Sequence, residues 1–294
     1  MAIGTLSLVL LSAILHASWN FLLKRAGGTQ VVMSLSKVAE VVVFAPIFLL
    51  AFVPVLPSLR EALWWAGIAS IGVAMNYIAL SRAYRLGDLS FVYPIARGAI
   101  LVFLPLSGWV FLDEHLSPLG AAGLATIVTG IVVLNLDGFG RAALGRLLAA
   151  LGGRATLYAL FSGLVAAVFT IWDKRAIMHL APFAYMYLYT LIASLAFGGW
   201  LVRHAPRDEL RLAWREHGWR IVAIGAMNTS SYVLVLFALR TGVTSYVLGM
   251  RQLSIAGGVA LGWRFLREPL TAGRVAGVTL ILSGCLLLSV AAVR

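Results

Sequence analysis

The sequence predicts an all-α membrane protein whose ten transmembrane helices form two inverted five-helix repeats. Three observations carry this prediction. Of the 294 residues, 61% are hydrophobic and only 12% charged, whereas soluble domains carry about 25% charged residues. Ten runs reach the roughly twenty apolar residues that a bilayer core requires. A block of the first half also recurs in the second at a nearly constant offset.

Strands of a membrane barrel would alternate apolar and polar residues over about ten positions. These runs are apolar on both parities, so they read as helices. Thr5–Leu23 has no lysine or arginine ahead of it and is too long for a signal-peptide core, so a retained span is expected. Val31–Val53 carries Lys37 and Glu40, and Ala62–Ala83 carries Asn76, Tyr77 and Ser81, with Tyr84 just beyond. Leu89–Leu112 contains Tyr93, Pro94, Arg97 and Pro105. Pro118–Leu136 opens on a proline, where the missing N–H costs nothing. The connection 137–154 then divides the chain into repeats 1–136 and 155–294.

In the second half, Ala155–Asp173 ends on Trp172 and Asp173, and Pro182–Val202 again opens on proline. A second long connection, 203–217, precedes Gly218–Leu239 with its Asn228, Ser231 and Tyr232. Val243–Leu266 holds Tyr246, Gly249, Arg251, Gln252, Gly257 and Gly258, and Pro269–Val290 is the last span. Trp64, Trp65, Trp109, Trp200, Trp219 and Trp263 fall at run ends, where an interfacial aromatic belt belongs.

The duplication is specific. Tyr77, Ala83, Gly87 and Ser90 match Tyr232, Ala238, Gly242 and Ser245 at an offset of 155. Arg97, Trp109, Glu114, Leu116, Gly123 and Gly130 match Arg251, Trp263, Glu268, Leu270, Gly277 and Gly284 at 154. Upstream, Lys24-Arg25-Ala26 recurs as Lys174-Arg175-Ala176. Five helices per half is an odd number, so the second half enters the membrane from the opposite face. Transporters with such inverted repeats bind substrate near the midplane, at the repeat interface. Pro94 and Gly249 disturb the fourth and ninth runs, which suits broken, gating helices lining a cavity. Gly258-x-x-x-Gly262 and Gly273-x-x-x-Gly277 suit close helix packing instead.

On the duplicated Gly turn, long helix, Leu-x-Glu-x-Leu and small-residue helix, the chain resembles the drug/metabolite transporter superfamily in its ten-helix EamA-type branch. His16-Ala17-Ser18-Trp19-Asn20 adds to the resemblance, which spans nearly the full length. It implies a transporter and leaves the substrate open, since relatives move amino acids, nucleotide sugars, sugar phosphates and drugs. The aromatics near the expected cavity are similar in character to those of aromatic amino-acid exporters.

Ionisable groups inside a span are costly and default to function. Arg97 and Arg251 sit about 13 Å into their helices by the helical rise, matched in depth, and a guanidinium grips a carboxylate through two parallel bonds. Alternatively, each holds the bundle together through protein acids or carbonyls. Lys37 and Glu40, three apart on one helix face, form either an ion pair or a proton-carrier site at Glu40. His16, Trp19, Asn20, Asn76, Tyr77, Ser81, Tyr84, Tyr93, Trp172, Asp173, Asn228, Tyr232, Tyr246 and Gln252 complete an expected aromatic cavity with a few polar groups. Glu114 and Glu268 precede prolines that open helices, and suit the positive N-termini that follow.

Other classes find little support. The formal charge of +12 is explained by basic residues at helix ends, and no segment presents a nucleic-acid footprint. The single cysteine, Cys285, leaves no disulfide framework, and the scattered histidines give no metal site. No cofactor motif and no hydrolase signature occurs, so the chain is not expected to be an enzyme. The expectation is an exporter of amino acids with aromatic or large apolar side chains, in a bacterial inner membrane, with a monomer sufficient. Export of another metabolite or a cationic drug is the alternative, with a membrane-embedded enzyme or sensor behind it. Cation exporters of the family use an acid in the first helix, and this first helix has none. Positive-inside counting places the termini outside, while the resemblance places them in the cytoplasm.

Overall fold

In lipid a backbone must satisfy its own hydrogen bonds, and a single apolar run does so only as a helix. The computed structural model describes residues 3–52, 59–87, 89–134 and 152–293. Its first half comprises α1 (Ile3–Arg25), α2 (Gln30–Phe52), α3 (Leu59–Leu86), α4 (Leu89–Leu112) and α5 (Pro118–Leu134). Its second half comprises α6 (Arg154–His179), α7 (Pro182–His204), α8 (Arg207–Thr241), α9 (Thr244–Arg251), α10 (Leu253–Leu266) and α11 (Ala272–Val293). No strand occurs among the described residues. Eight of these helices are long and apolar enough to cross a bilayer. The shorter α5 and the pair α9–α10 supply the other two of ten. Val53, the continuation of α5 to Leu136 and most of the connection 137–154 lie outside the described residues.

Two expectations are corrected here. The connection expected over 203–217 is mostly helix, because α8 begins at Arg207 and runs for 35 residues. Asp208 and Glu209 occupy its first turn, where carboxylates suit the positive helix end. The fourth run is not broken: α4 continues through positions 94 and 105. An isolated proline removes only one i→i−4 bond, and neighbouring helices re-satisfy a freed group inside a bundle.

Helix packing follows an exchange rule. Each half's first helix lies against the other half's third, α1 on α8 and α6 on α3. The second helices also meet the opposite third ones, α2 on α8 and α7 on α3, and the fourth elements meet the opposite first, α4 on α6 and α10 on α1. Helices α2 and α7 meet each other, as do α5 and α11. The last contact explains the duplicated glycines. A Cβ at Gly123 would stand 3.0 Å from the Gly284 carbonyl, and one at Gly130 would stand 2.8 Å from that of Gly277. Small residues let the backbones approach this closely. Gly258 does not share this role, since nothing lies within 4 Å of its would-be Cβ. Leu49, Leu50, Trp64, Val202 and Leu286 point outward, as a lipid-facing surface requires.

Candidate functional site

Two cavities meet between the halves. The central one, about 260 Å³, is walled by Asn76, Leu80 and Tyr84 of α3, Ala96, Arg97 and Ile100 of α4, and Ser162, Ala166, Phe169 and Thr170 of α6. Tyr232 of α8 and Leu248, Arg251 and Gln252 of the ninth span close it. The second, about 250 Å³, lies between α1, α10 and α11 and is bordered by His16, Asn20, Phe21, Lys24, Gly258, Glu268 and Arg274. Arg97 and Gln252 belong to both walls and stand at the junction. A larger groove of about 430 Å³ between α3 and α7 is mostly apolar and has no charged group in its wall.

The junction exists because the ninth span breaks at Gln252. The Gln252 N–H bonds the Gly249 carbonyl at 3.1 Å, one residue short of the α-helical partner. This frees the Leu248 carbonyl, which accepts the Gln252 Nε2–H at 3.1 Å instead. One buried side chain thus caps the break it sits at. Gly249, expected as the gating residue, is a packing position: a Cβ there would come within 2.5 Å of Leu288 and 2.8 Å of Leu124.

Arg251 projects from the end of α9. Its Nη2 donates to His16 Nδ1 at 3.0 Å, and Trp19 Nε1 donates to the same nitrogen at 3.2 Å. Its guanidinium carbon lies 5.4 Å from the centre of the Tyr232 ring. Its Nε is buried with no hydrogen-bond partner. No ion pair among the described residues includes Arg251. A partly buried cation with an idle donor, facing a cavity, is a place for an anion.

The remaining expected site residues divide by location. Asn76 exchanges bonds of 3.3 Å with Ser162, across the central cavity wall. Asn20 borders the second cavity while donating to the His16 carbonyl at 2.7 Å. Asp173 lies behind the wall, accepting hydrogen bonds from Tyr232 and, at 2.5 Å, from Tyr185. Lys37, Glu40 and Asn228 form a separate cluster, with Lys37 Nζ 2.8 Å from Glu40 Oε1 and Asn228 donating to Oε2 at 3.0 Å. Trp172 and Tyr246 are not brought to the cavities. Trp172 donates to the Trp65 carbonyl at 3.0 Å and packs on that ring. Tyr246 receives the Ser117 N–H at 3.1 Å at the start of α5. Ser81 is exposed and lines neither cavity. The side chains of Tyr77, Tyr93 and Pro94 lie outside the described residues.

Sequence reasoning missed Ser162, Phe169 and Thr170 of α6. Their spacing with Ala166 (i, i+4, i+7, i+8) makes one helix face, a signal that was present but hidden among apolar residues.

The two glutamates of the repeat do not serve the helix that follows each of them in the same way. Glu114 reaches instead the start of α9, accepting from the Thr244 N–H and hydroxyl at 2.9 Å each. It also pairs with Lys174 at 2.5 Å, and Lys174 bonds the Gly242 carbonyl at 2.7 Å. Glu268 pairs with Lys24 and, at 3.0 Å, with Arg274 in the first turn of α11. Each glutamate therefore takes the repeated lysine of the opposite half. Behind each, a non-glycine residue has positive φ, Asp113 at 54° and Arg267 at 56°. Each glutamate N–H bonds back to a matching glycine carbonyl, Gly108 at 3.1 Å and Gly262 at 3.2 Å.

Residues 153–290 match the EamA-like transporter family. The whole chain is also similar in fold to a solved structure described only as "Crystal structure of protein". The two are 15% identical, with a TM-score of 0.72 over 99% of this chain and 98% of that one. The fold is that of a multi-pass integral membrane protein, and its second half is similar to the EamA-like transporter family.

Proposed function

We propose that the protein exports small amphipathic carboxylates, chiefly amino acids with aromatic or large apolar side chains, by alternating access through the central cavity. The observation that carries this is Arg251: a partly buried guanidinium with a buried, idle Nε, no carboxylate partner among the described residues, and a place on the cavity wall. Phe169, Tyr84, Ile100 and Leu248 supply the apolar wall that a large side chain needs. The cavity, about 260 Å³, falls just below the roughly 300–1,000 Å³ range for small-molecule sites, which favours an amino acid over a nucleotide sugar. A cationic drug would face Arg97 and Arg251.

The exchange of helix pairings and the reciprocal Glu–Lys pairs support reading 1–136 and 155–294 as inverted repeats, joined by 137–154. On that reading the two pairs are latches on opposite membrane faces, and one chain contains the whole pathway. A bacterial inner membrane is the proposed setting.

Competition between amino acids and their amides in proteoliposomes tests the carboxylate. Wild type should discriminate strongly against the amide. Losing each charge-assisted bond costs about 1.5–3 kcal/mol, roughly a tenfold to hundredfold loss of apparent affinity. Arg251→Lys keeps the charge and loses the fork, so it should lose most of that discrimination. Equal competition by acid and amide in wild type would remove the arginines from the site.

A further inference from the structure

Two carboxylates lie deep in the bundle, and they are provided for differently. Glu40 is buried with Lys37 beside it. Asp173 of α6 has no accessible surface, and no basic side chain among the described residues forms an ion pair with it. Among the described residues its two oxygens are held by tyrosine hydroxyls, Tyr185 on Oδ1 and Tyr232 on Oδ2. Holding an unpaired charge in such a place is expensive. Packing or cross-bracing between helices is served as well by asparagine, which brings no charge.

The tyrosine cage serves both forms of the group. The ionised carboxylate accepts from both hydroxyls. The protonated acid donates its one proton to a tyrosine oxygen, which is an acceptor as well as a donor. A proton arriving at Asp173 therefore turns the Tyr232 hydroxyl around, so that its own O–H is freed to donate toward the central cavity. Tyr232 is also in the wall of the central cavity, with Arg251 over its ring. The next residue along α6, Lys174, holds Glu114. Other elements around the group present Tyr189 from α7, 5.5 Å from Tyr185 and 6.4 Å from Tyr232 between ring centres, and Arg251 from α9 beyond the Tyr232 ring.

We infer that Asp173 is a proton-binding site, linked through Tyr232 to Arg251 and the central cavity. Its place in a transport cycle rests on the transporter reading above; proton binding itself does not. The ligand is one proton, taken up by the carboxylate and released toward the cavity past Tyr232. Glu40, neutralised by Lys37, is then a structural partner and not the proton carrier.

Infrared difference spectroscopy of the purified full chain in lipid, titrated from mildly acidic to mildly alkaline pH, tests this without any substrate. A protonated carboxyl C=O band should appear as pH falls, persist in Glu40→Gln and vanish in Asp173→Asn. Labelling the aspartates with carbon-13 should shift the same band in wild type, which assigns it to an aspartate and not a glutamate even if the Asn variant fails to fold. Arg251→Gln removes a positive charge across Tyr232, so the band's midpoint should move to higher pH. A band absent from wild type, insensitive to aspartate labelling, or retained in folded Asp173→Asn overturns the proton site. An unmoved midpoint in folded Arg251→Gln overturns the link to the cavity. Failure of amino-acid transport with the titration intact would sink the substrate reading alone.

Discussion

The two Glu–Lys pairs are built on the same local sequence and end in different states. Glu114 and Lys174 have side chains only 12% and 17% exposed, and Thr244 and Gly242 complete their bonding. Glu268 is 24% exposed and its Lys24 63%, and both border the second cavity. One pair is therefore mostly buried while the other stands partly open at the second cavity. The ninth span differs from the fourth in the same sense. Arg251 matches Arg97, but the residue after it is Gln252 in one half and Gly98 in the other. The span with a side chain able to cap a freed carbonyl is broken, and the span with glycine there is continuous. Matched sequences thus hold different local conformations in the two halves.

Removing one partner of the mostly buried latch should have the largest effect. Glu114→Gln strands Lys174 in a mostly buried place, and breaking such pairs costs about 3–5 kcal/mol. Thermal unfolding in detergent should show a marked loss; a loss equal to that of Glu268→Gln would erase the distinction between the latches.

A smaller effect is expected at the break. Gln252→Leu keeps the bulk and leaves the Leu248 carbonyl without its side-chain donor, at a cost of about 1–3 kcal/mol. Stability should fall while Gly98→Gln, its counterpart, gives no matching gain.

The smallest effect belongs to the open latch. Glu268→Gln should cost about 0.2–1 kcal/mol, the range of exposed pairs. The hydrogen bond from Lys24, aided by the charges of Lys24 and Arg274, holds the Glu268 carboxyl below its ordinary range. A depressed carboxyl contributes fully above its unfolded pKa, about 4.3 for Glu, and loses that contribution as pH falls through the folded value. The stability difference between wild type and Glu268→Gln should hold at neutral pH and shrink toward zero only in strong acid. A difference that disappears already at mildly acidic pH would contradict the pairing.

The membrane-spanning helices, their succession, the repeat and the matched arginines are legible in the residues alone. These are properties of one segment at a time: apolar length fixes a span, and identity at a constant offset fixes a duplication. The sequence also pointed to part of the cavity wall, because Asn76, Tyr84, Arg97, Tyr232, Arg251 and Gln252 are polar or aromatic residues that would be misplaced against lipid. Only the tertiary structure decided which faces meet. In a chain apolar on all sides, helical periodicity carries little information about which side is inward. Tyr246 therefore went to Ser117 and Trp172 to Trp65, away from the cavity that their types suggested. The helix break fell at Gln252 because a freed carbonyl needs a donor, and neither glycine flexibility at 249 nor proline at 94 supplies one. Glu114 found Lys174, and Asp173 found Tyr185 and Tyr232, across helices. Such partners are chosen by the approach of packed helices, which no local pattern encodes.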